Sequence, residues 1–338
     1  MGNFSKIIKI AEDIFIGNDF PTFIIAEAGI NHNGDLSLAL KLIDEAKRCK
    51  ASAVKFQYFK AEKLYKISDP MFNFFKKVEL KEKDVISLIE HARDLKIECF
   101  FSVFDLEGIR FLSELGVKIF KIASSDLTFL PLIFKLIKKA KVIFLSTGMS
   151  EFVEIEEILR IFERENFKNL ILLYCVSLYP PEPKDINLNF LEILRKKFNV
   201  ICGFSDHYPE NIFSLASILK GAKVIEKHFT LDKNLEGPDH KISADPKQFK
   251  KLIEDIRKIE IALKEKKSER ENKLKRYARR GMYAKEDISE GEILSLNKFD
   301  FLRPQLDGID PLEFFKMKNP KAKKCIRKGS LLKKEDIK

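Results

Sequence analysis

Apolar residues in this chain gather into short β-branched and aliphatic runs, separated by longer stretches whose apolar positions recur at helical spacing. The short runs predict strands at 23–26, 53–56, 99–102, 117–122, 142–145, 170–176, 200–204 and 223–226. The intervening patterns predict helices that include 36–49, 83–95, 154–162, 188–198, 210–219 and 246–264, with Asp35 and Asn211 placed as caps. Nearly unbroken apolar strands are what a parallel sheet covered by helices on its face requires. Eight such strands within residues 1–263 predict a (β/α)8 TIM barrel, with a doubly wound sheet as the alternative.

The polar residues favour the barrel. Glu27 follows the first run, Lys55 and Gln57 end the second, and Ser102 ends the third. Lys121, Ser124 and Asp126 follow the fourth, Ser146 and Thr147 the fifth, and Ser177 and Tyr179 the sixth. Ser205, Asp206 and His207 close the seventh, and Lys227 and His228 the eighth. A ring of polar strand ends predicts one shared pocket at the C-terminal mouth.

Beyond the barrel, residues 264–280 are rich in Lys, Glu and Arg and predict an exposed helical linker. Residues 281–338 form a compact tail with two similar phrases, AKEDISEGEIL and IRKGSLLKKEDI, each of which predicts a small β-hairpin. A unit of that size predicts a small core that leans on another surface.

Composition narrows the classes. The chain has 338 residues, 45% hydrophobic and 33% charged, which excludes wholesale disorder and a collagen-like fibre. Its five cysteines form no CxxC pair, so a disulfide framework and a zinc ribbon are both disfavoured. With no apolar segment suited to a signal peptide or a membrane span, the expectation is a cytoplasmic protein with no membrane partner. Of the net charge of +11, residues 264–338 carry +9. No aromatic residues alternate with the basic ones in the linker, so a nucleic-acid partner is not expected.

The candidate chemistry starts with histidine. His32, His207, His228 and His240 fall at or beyond strand ends, and His91 within a helix. His207 and His228 would sit on neighbouring strands and could share a divalent ion, with Asp206, Glu226 or Asp239 as possible carboxylates. Lys55 and Lys121, inside otherwise buried strands, would form a cationic pocket for phosphate or carboxylate, with Ser124, Ser146 and Ser205 as hydroxyl donors. An imine-forming lysine is the alternative. Glu27 can orient a substrate or move a proton. No GxGxxG loop, Walker loop or GxSxG elbow is present.

The phrases IIAEAGINHNGD, AVKFQ, FKIASSDLT, LSTGM, LYP, GFSDH, VIEKHFTLDK and GPDHKIS, in that order, resemble the sialic acid synthase family. RRGMYAKEDISEGEIL and LRP in the tail resemble the antifreeze-like (SAF) domain attached to those synthases. The resemblance implies a (β/α)8 barrel, a β-clip-like tail, and a domain-swapped homodimer in which each tail covers the partner's mouth. It implies condensation of phosphoenolpyruvate with an N-acetylated amino sugar, N-acetylmannosamine first, and a 6-deoxy diacetamido sugar of the legionaminic or pseudaminic type as the alternative. His207 and His228 would hold the metal, Mn2+ before Mg2+ or Co2+. Lys55, Ser102, Lys121, Ser124, Ser146, Ser177 and Ser205 would surround phosphoenolpyruvate, and Glu27 and Asp126 would be catalytic. Gln57, Tyr179 and Asp239 would line the cavity or meet the sugar, and Arg303 would reach the acetamido group from the other subunit. The chain departs from the family pattern at Phe101–Phe104, at Asp126 where Glu is common, at Val176 and Ser177, and after Arg303-Pro304.

Overall fold

The computed structural model describes residues 4–264 and 268–338, and the chain divides into two units, Met1–Leu263 and Lys264–Lys338. In the first unit a hairpin of β1 (Ile7–Lys9) and β2 (Phe15–Gly17) precedes the barrel strands. These are β3 (Phe23–Gly29), β4 (Ala53–Tyr58), β5 (Glu98–Val103) and β6 (Ile119–Ile122), then β7 (Val142–Ser146), β8 (Leu170–Cys175), β9 (Ile201–Asp206) and β10 (Val224–His228). All neighbours pair in parallel, and β10 closes the barrel on β3 in a register that sets His228 beside Glu27. The doubly wound alternative is thereby excluded.

Side-chain alternation at period two sorts each strand into two faces. Ile24, Val54, Phe101, Phe120, Ile143, Leu172, Phe204 and Ile225 point outward into the core shared with the helices. Ile25, Ala53, Phe100, Ile119, Phe144, Leu173 and Val224 point inward and fill the lower barrel, where Phe100 and Phe144 stack at 5.3 Å. Ile8, Ile10 and Ile16 of the N-terminal segment join that inner cluster. Three isoleucines therefore plug the end of the barrel opposite the polar strand ends. The sequence pattern does not predict this plug, because two three-residue strands leave almost no periodic signal.

Asp35 caps helix Leu36–Arg48 as expected, accepting bonds from the Ser37 and Leu38 amides. Asn211 precedes helix Ile212–Leu219 but caps nothing with its side chain, which donates instead to the Gln248 carbonyl. Among the described residues no helix is long and apolar enough to cross a membrane.

In the second unit, helix Glu269–Ala278 buries no side chain. The linker's residues 265–267 lie outside the described residues. The tail differs from the expectation of two hairpins. β11 (Gly281–Ala284) pairs with β12 (Phe299–Leu302), and the two similar phrases pair with each other through an Ile288–Ile326 bridge. Hydrophobic demand decides this. Each phrase has too few apolar residues to bury alone, and together they close a core of Met282, Ile288, Leu294, Phe299, Phe314, Ile326 and Leu332. The tail thus has a core of its own.

Candidate active site

Toward the C-terminal ends of the strands the inward positions change from apolar to polar at the next step of the alternation. Ile25 is followed inward by Glu27, Ala53 by Lys55, Phe100 by Ser102, Ile119 by Lys121, Phe144 by Ser146 and Val224 by Glu226. These side chains, with Gln57, Ser124, Cys175, Ser177, Tyr179, Ser205, His207 and His228, line one cavity of about 270 Å3. The cationic pair and the two imidazoles therefore share a single chamber.

At its floor is a buried charge network. Lys55 Nζ lies 2.6 Å from Glu27 Oε2 and 3.6 Å from Glu226 Oε2, and donates to Ser102 Oγ at 2.7 Å. Lys121 Nζ lies 3.5 Å from Glu226 Oε1, which also accepts a bond from the Ser205 hydroxyl at 2.8 Å. Glu226 thus bridges the two lysines. Sequence order groups Glu226 with carboxylates that could serve an ion, and strand register brings it to the two cations.

The two carboxylates have opposite tendencies. Burial alone would raise Glu226, yet the Lys121 and Lys55 charges and the Ser205 hydroxyl outweigh it and bring its pKa to about 2. Glu27 is pushed upward, first by burial and then by the charge on Glu226, against the pull of Lys55. Burial tends to lower Lys55, but the flanking glutamates raise it above the ordinary lysine value. Lys121 is lowered by burial, partly offset by Glu226. Of the carboxylates, Glu27 takes up a proton first, which suits a group that must exchange one.

The serines form a second cluster. The Gly148 amide donates to Ser124 Oγ at 3.0 Å, and Ser124 Oγ lies 3.1 Å from Cys175 Sγ. A Cβ on Gly148 would stand 2.3 Å from Ser177 Oγ and 2.9 Å from Ser124 Oγ, so only glycine lets these hydroxyls converge. Gly148→Ala should displace both and raise the KM for a phosphate-bearing substrate about tenfold, the worth of one or two hydrogen bonds. Steady-state kinetics on that variant check this, and an unchanged KM would remove the serine cluster from the binding site. Gly29, at φ +52, does similar work, since its Cβ would crowd Glu27 Oε1 at 3.2 Å beside Asp239 and Gln57.

The imidazoles sit on the adjacent wall with ring centroids 5.4 Å apart. His207 Nδ1–H donates to the Val176 carbonyl at 2.7 Å, leaving Nε2 with its lone pair. Burial, followed by the nearby His228, lowers the His207 pKa to about 3, so the ring is neutral. Tyr179 stacks on it at 4.2 Å. His228 Nδ1 is buried without a hydrogen-bond partner, 3.7 Å from Asp239 Oδ2. A neutral His207 with its tautomer fixed, beside a His228 ring whose buried Nδ1 has no hydrogen-bond partner, fits a divalent cation. No cluster of three His, Cys, Asp or Glu ligands occurs among the described residues, so the remaining positions would go to water or substrate.

Other candidates lie elsewhere. Asp206 and Lys227 are on the outer face of their strands, where they pair with each other at 2.9 Å, and Thr147 bonds back to the Leu173 carbonyl. His32 and His240 are buried in loop contacts, with Thr230 Oγ1 2.7 Å from His240 Nδ1, and His91 meets Asp44. Arg303 is an exposed residue of the tail unit. Asp126 does not line the cavity and takes a bond from the Ser125 hydroxyl.

Burial raises the Asp126 pKa from 3.8 to about 6 despite Ser125 and Lys121. The folded state therefore binds the proton more tightly than the unfolded chain. Stability falls as pH rises from about 4 to about 6 and stays lower above that. Asp126→Asn should add about 1–2 kcal/mol at pH 8 and almost nothing at pH 4, after allowance for solvent screening. Thermal melts at the two pH values read this, and an equal shift at both would contradict it.

Residues 42–268 match the NeuB family. The chain belongs to that family. The NeuB-family chain is 43% identical to an uncharacterized protein of Methanocaldococcus jannaschii over 302 residues, covering 88% of this chain and 89% of that one. It is 40% identical to the N,N'-diacetyllegionaminic acid synthase of Campylobacter jejuni over 330 residues, covering 92% and 98%. Its fold is similar to a solved N-acetylneuraminic acid (sialic acid) synthetase of Leptospira borgpetersenii, with TM-score 0.76 and 37% identity, covering 80% of this chain and 95% of that one. As a member of this family it is an enzyme, a nonulosonic acid synthase. The family resemblance read from the motif phrases is correct.

Proposed function

We propose that this enzyme condenses phosphoenolpyruvate with the open-chain aldehyde of an N-acetylated amino sugar and water, giving a nine-carbon 2-keto acid and inorganic phosphate. The observation that carries this is the one chamber holding Lys55, Lys121, His207 and His228 together. Lys55 and Lys121 would take the phosphate and carboxylate of phosphoenolpyruvate, with Ser102, Ser124, Ser146, Ser177 and Ser205 as further donors. Ser146 Oγ is buried without a hydrogen-bond partner, which suits a site completed by a substrate.

In the reaction the methylene carbon of phosphoenolpyruvate forms a bond to the aldehyde carbon, and the aldehyde oxygen gains a proton. The carbon left electron-poor is C2. Water adds there and loses one proton, giving a C2 that carries a hydroxyl and the phosphate ester; the hydroxyl proton leaves as the C2–O bond to phosphate breaks, which expels phosphate and forms the ketone. Glu27, the carboxylate that protonates more readily, is placed to carry these protons and to steady the positive C2. Glu226 keeps both lysines in position. A divalent ion held by His207 and His228, Mn2+ foremost, would polarise the aldehyde oxygen. Both lysines lie among carboxylates as charge partners, and borohydride trapping with substrate should find no lysine adduct.

N-acetylmannosamine is the first acceptor to test. The second is a 6-deoxy diacetamido sugar, favoured by the 40% identity to the diacetyllegionaminic acid synthase across 92% of this chain. Gln57, Tyr179 and Asp239 would meet the acceptor. We further propose that the tail is an SAF-type domain and that Arg303 approaches the acceptor in a homodimer. Phosphate release from phosphoenolpyruvate across a panel of both sugars, with product mass measured, tests the whole reading. No release with any acceptor at saturating Mn2+ would reject it.

A further inference from the structure

We infer that Lys227 and Asp206 form a positioning clamp that orients His207 and His228 toward a divalent cation, an inference that rests on the metal reading above. On β9 and β10 the alternation puts Ser205, Glu226 and His228 inside the barrel and Asp206 and Lys227 behind it. Each clamp residue directly precedes one of the imidazoles in sequence.

The pair is wholly buried and wholly satisfied. Lys227 Nζ has three protons and three acceptors: Asp206 Oδ2 at 2.9 Å, the Glu210 carbonyl at 2.8 Å, and the Tyr208 carbonyl. Asp206 Oδ1 accepts the Tyr208 amide at 3.0 Å, and Oδ2 also accepts the Ser214 hydroxyl at 2.5 Å. One ion pair thus ties β10, β9, the loop after His207 and helix Ile212–Leu219 into one piece. In the chamber, by contrast, Ser146 Oγ and His228 Nδ1 have no hydrogen-bond partner. The chamber keeps polar atoms open for ligands, and the clamp behind it leaves none.

A buried ion pair adds little stability over an apolar pair of the same volume, so its use here is in orientation. A cation held by only two side chains depends on both rings being aimed at one point, and groups behind the ligands set that aim.

The test uses Mn2+ as probe, with free aquo-Mn2+ measured by electron paramagnetic resonance in the full chain. It compares the native protein with Asp206→Asn and with the apolar double variant Asp206→Leu/Lys227→Met. Cooperative melts are expected for both, with Mn2+ affinity weakened about 10–100-fold. Turnover should largely recover at saturating Mn2+, and the KM for phosphoenolpyruvate should stay within about twofold, a split that general loosening of the fold would not produce. A folded variant that binds Mn2+ as the native protein does would overturn the clamp and leave the metal reading standing. A native protein that binds no Mn2+ would overturn both. Loss of cooperative melting in both variants would make the pair a folding determinant and overturn the positioning role.

Discussion

Lys55→Met is expected to lower kcat/KM for phosphoenolpyruvate by at least about a thousandfold, roughly 4 kcal/mol of lost transition-state stabilisation. Two effects combine. The substrate loses a charge-assisted donor, worth about 1.5–3 kcal/mol for each such bond. Glu27 and Glu226 lose the cation they share at 2.6 and 3.6 Å, so a carboxylate faces the incoming anion unneutralised unless it protonates. KM should therefore rise while kcat falls, because Glu27 no longer exchanges its proton in the same field. Pairing the change with Glu27→Gln removes the carboxylate left without a cation, since Glu226 keeps Lys121 at 3.5 Å. The double variant should melt higher than Lys55→Met and remain inactive, which separates loss of chemistry from loss of fold. A Lys55→Met enzyme within tenfold of the native kcat/KM would take Lys55 out of the substrate site.

Removing either imidazole is the second large effect. His207→Ala and His228→Ala should each reduce Mn2+-supported phosphate release by about a thousandfold or more, and a chelator should do the same to the native enzyme. With two side-chain ligands, loss of one leaves a single imidazole to compete with water for the ion. The cationic floor is separate from the imidazole wall, so calorimetric binding of phosphoenolpyruvate to His207→Ala should change only a few-fold. Near-native turnover of His207→Ala at saturating Mn2+ would end the metal assignment. Loss of phosphoenolpyruvate binding along with turnover would instead mean that the two walls act as one unit.

Much of this site is legible from residue order because a barrel strand shows its chemistry locally. Lys55 and Lys121 stand out as charges inside apolar runs, and His207 and His228 follow strands that neighbour each other in any closed barrel. Glu226 shows where local reading runs out. Its sequence neighbours are Ile225 and Lys227, and nothing in that order tells which of Glu226 and Lys227 faces inward. The same ambiguity places Asp206 and Lys227 with the mouth on residue order alone. The paired phrases of the tail fail differently. Their resemblance suggested two like hairpins, and the burial that decides their pairing depends on partners some forty residues apart, from Ile288 to Ile326.

The order of residues alone determined the eightfold alternation, the polar strand ends, the family and the identity of the lysines and histidines. It could do so because apolar runs, helical periodicity and short motifs are properties of neighbours in the chain. Only the tertiary structure decided which of two adjacent polar residues enters the chamber, that Glu226 joins the lysines, and that three isoleucines seal the opposite end. Those outcomes depend on register, which a one-residue slip would reverse, and register is set by packing among strands far apart in sequence.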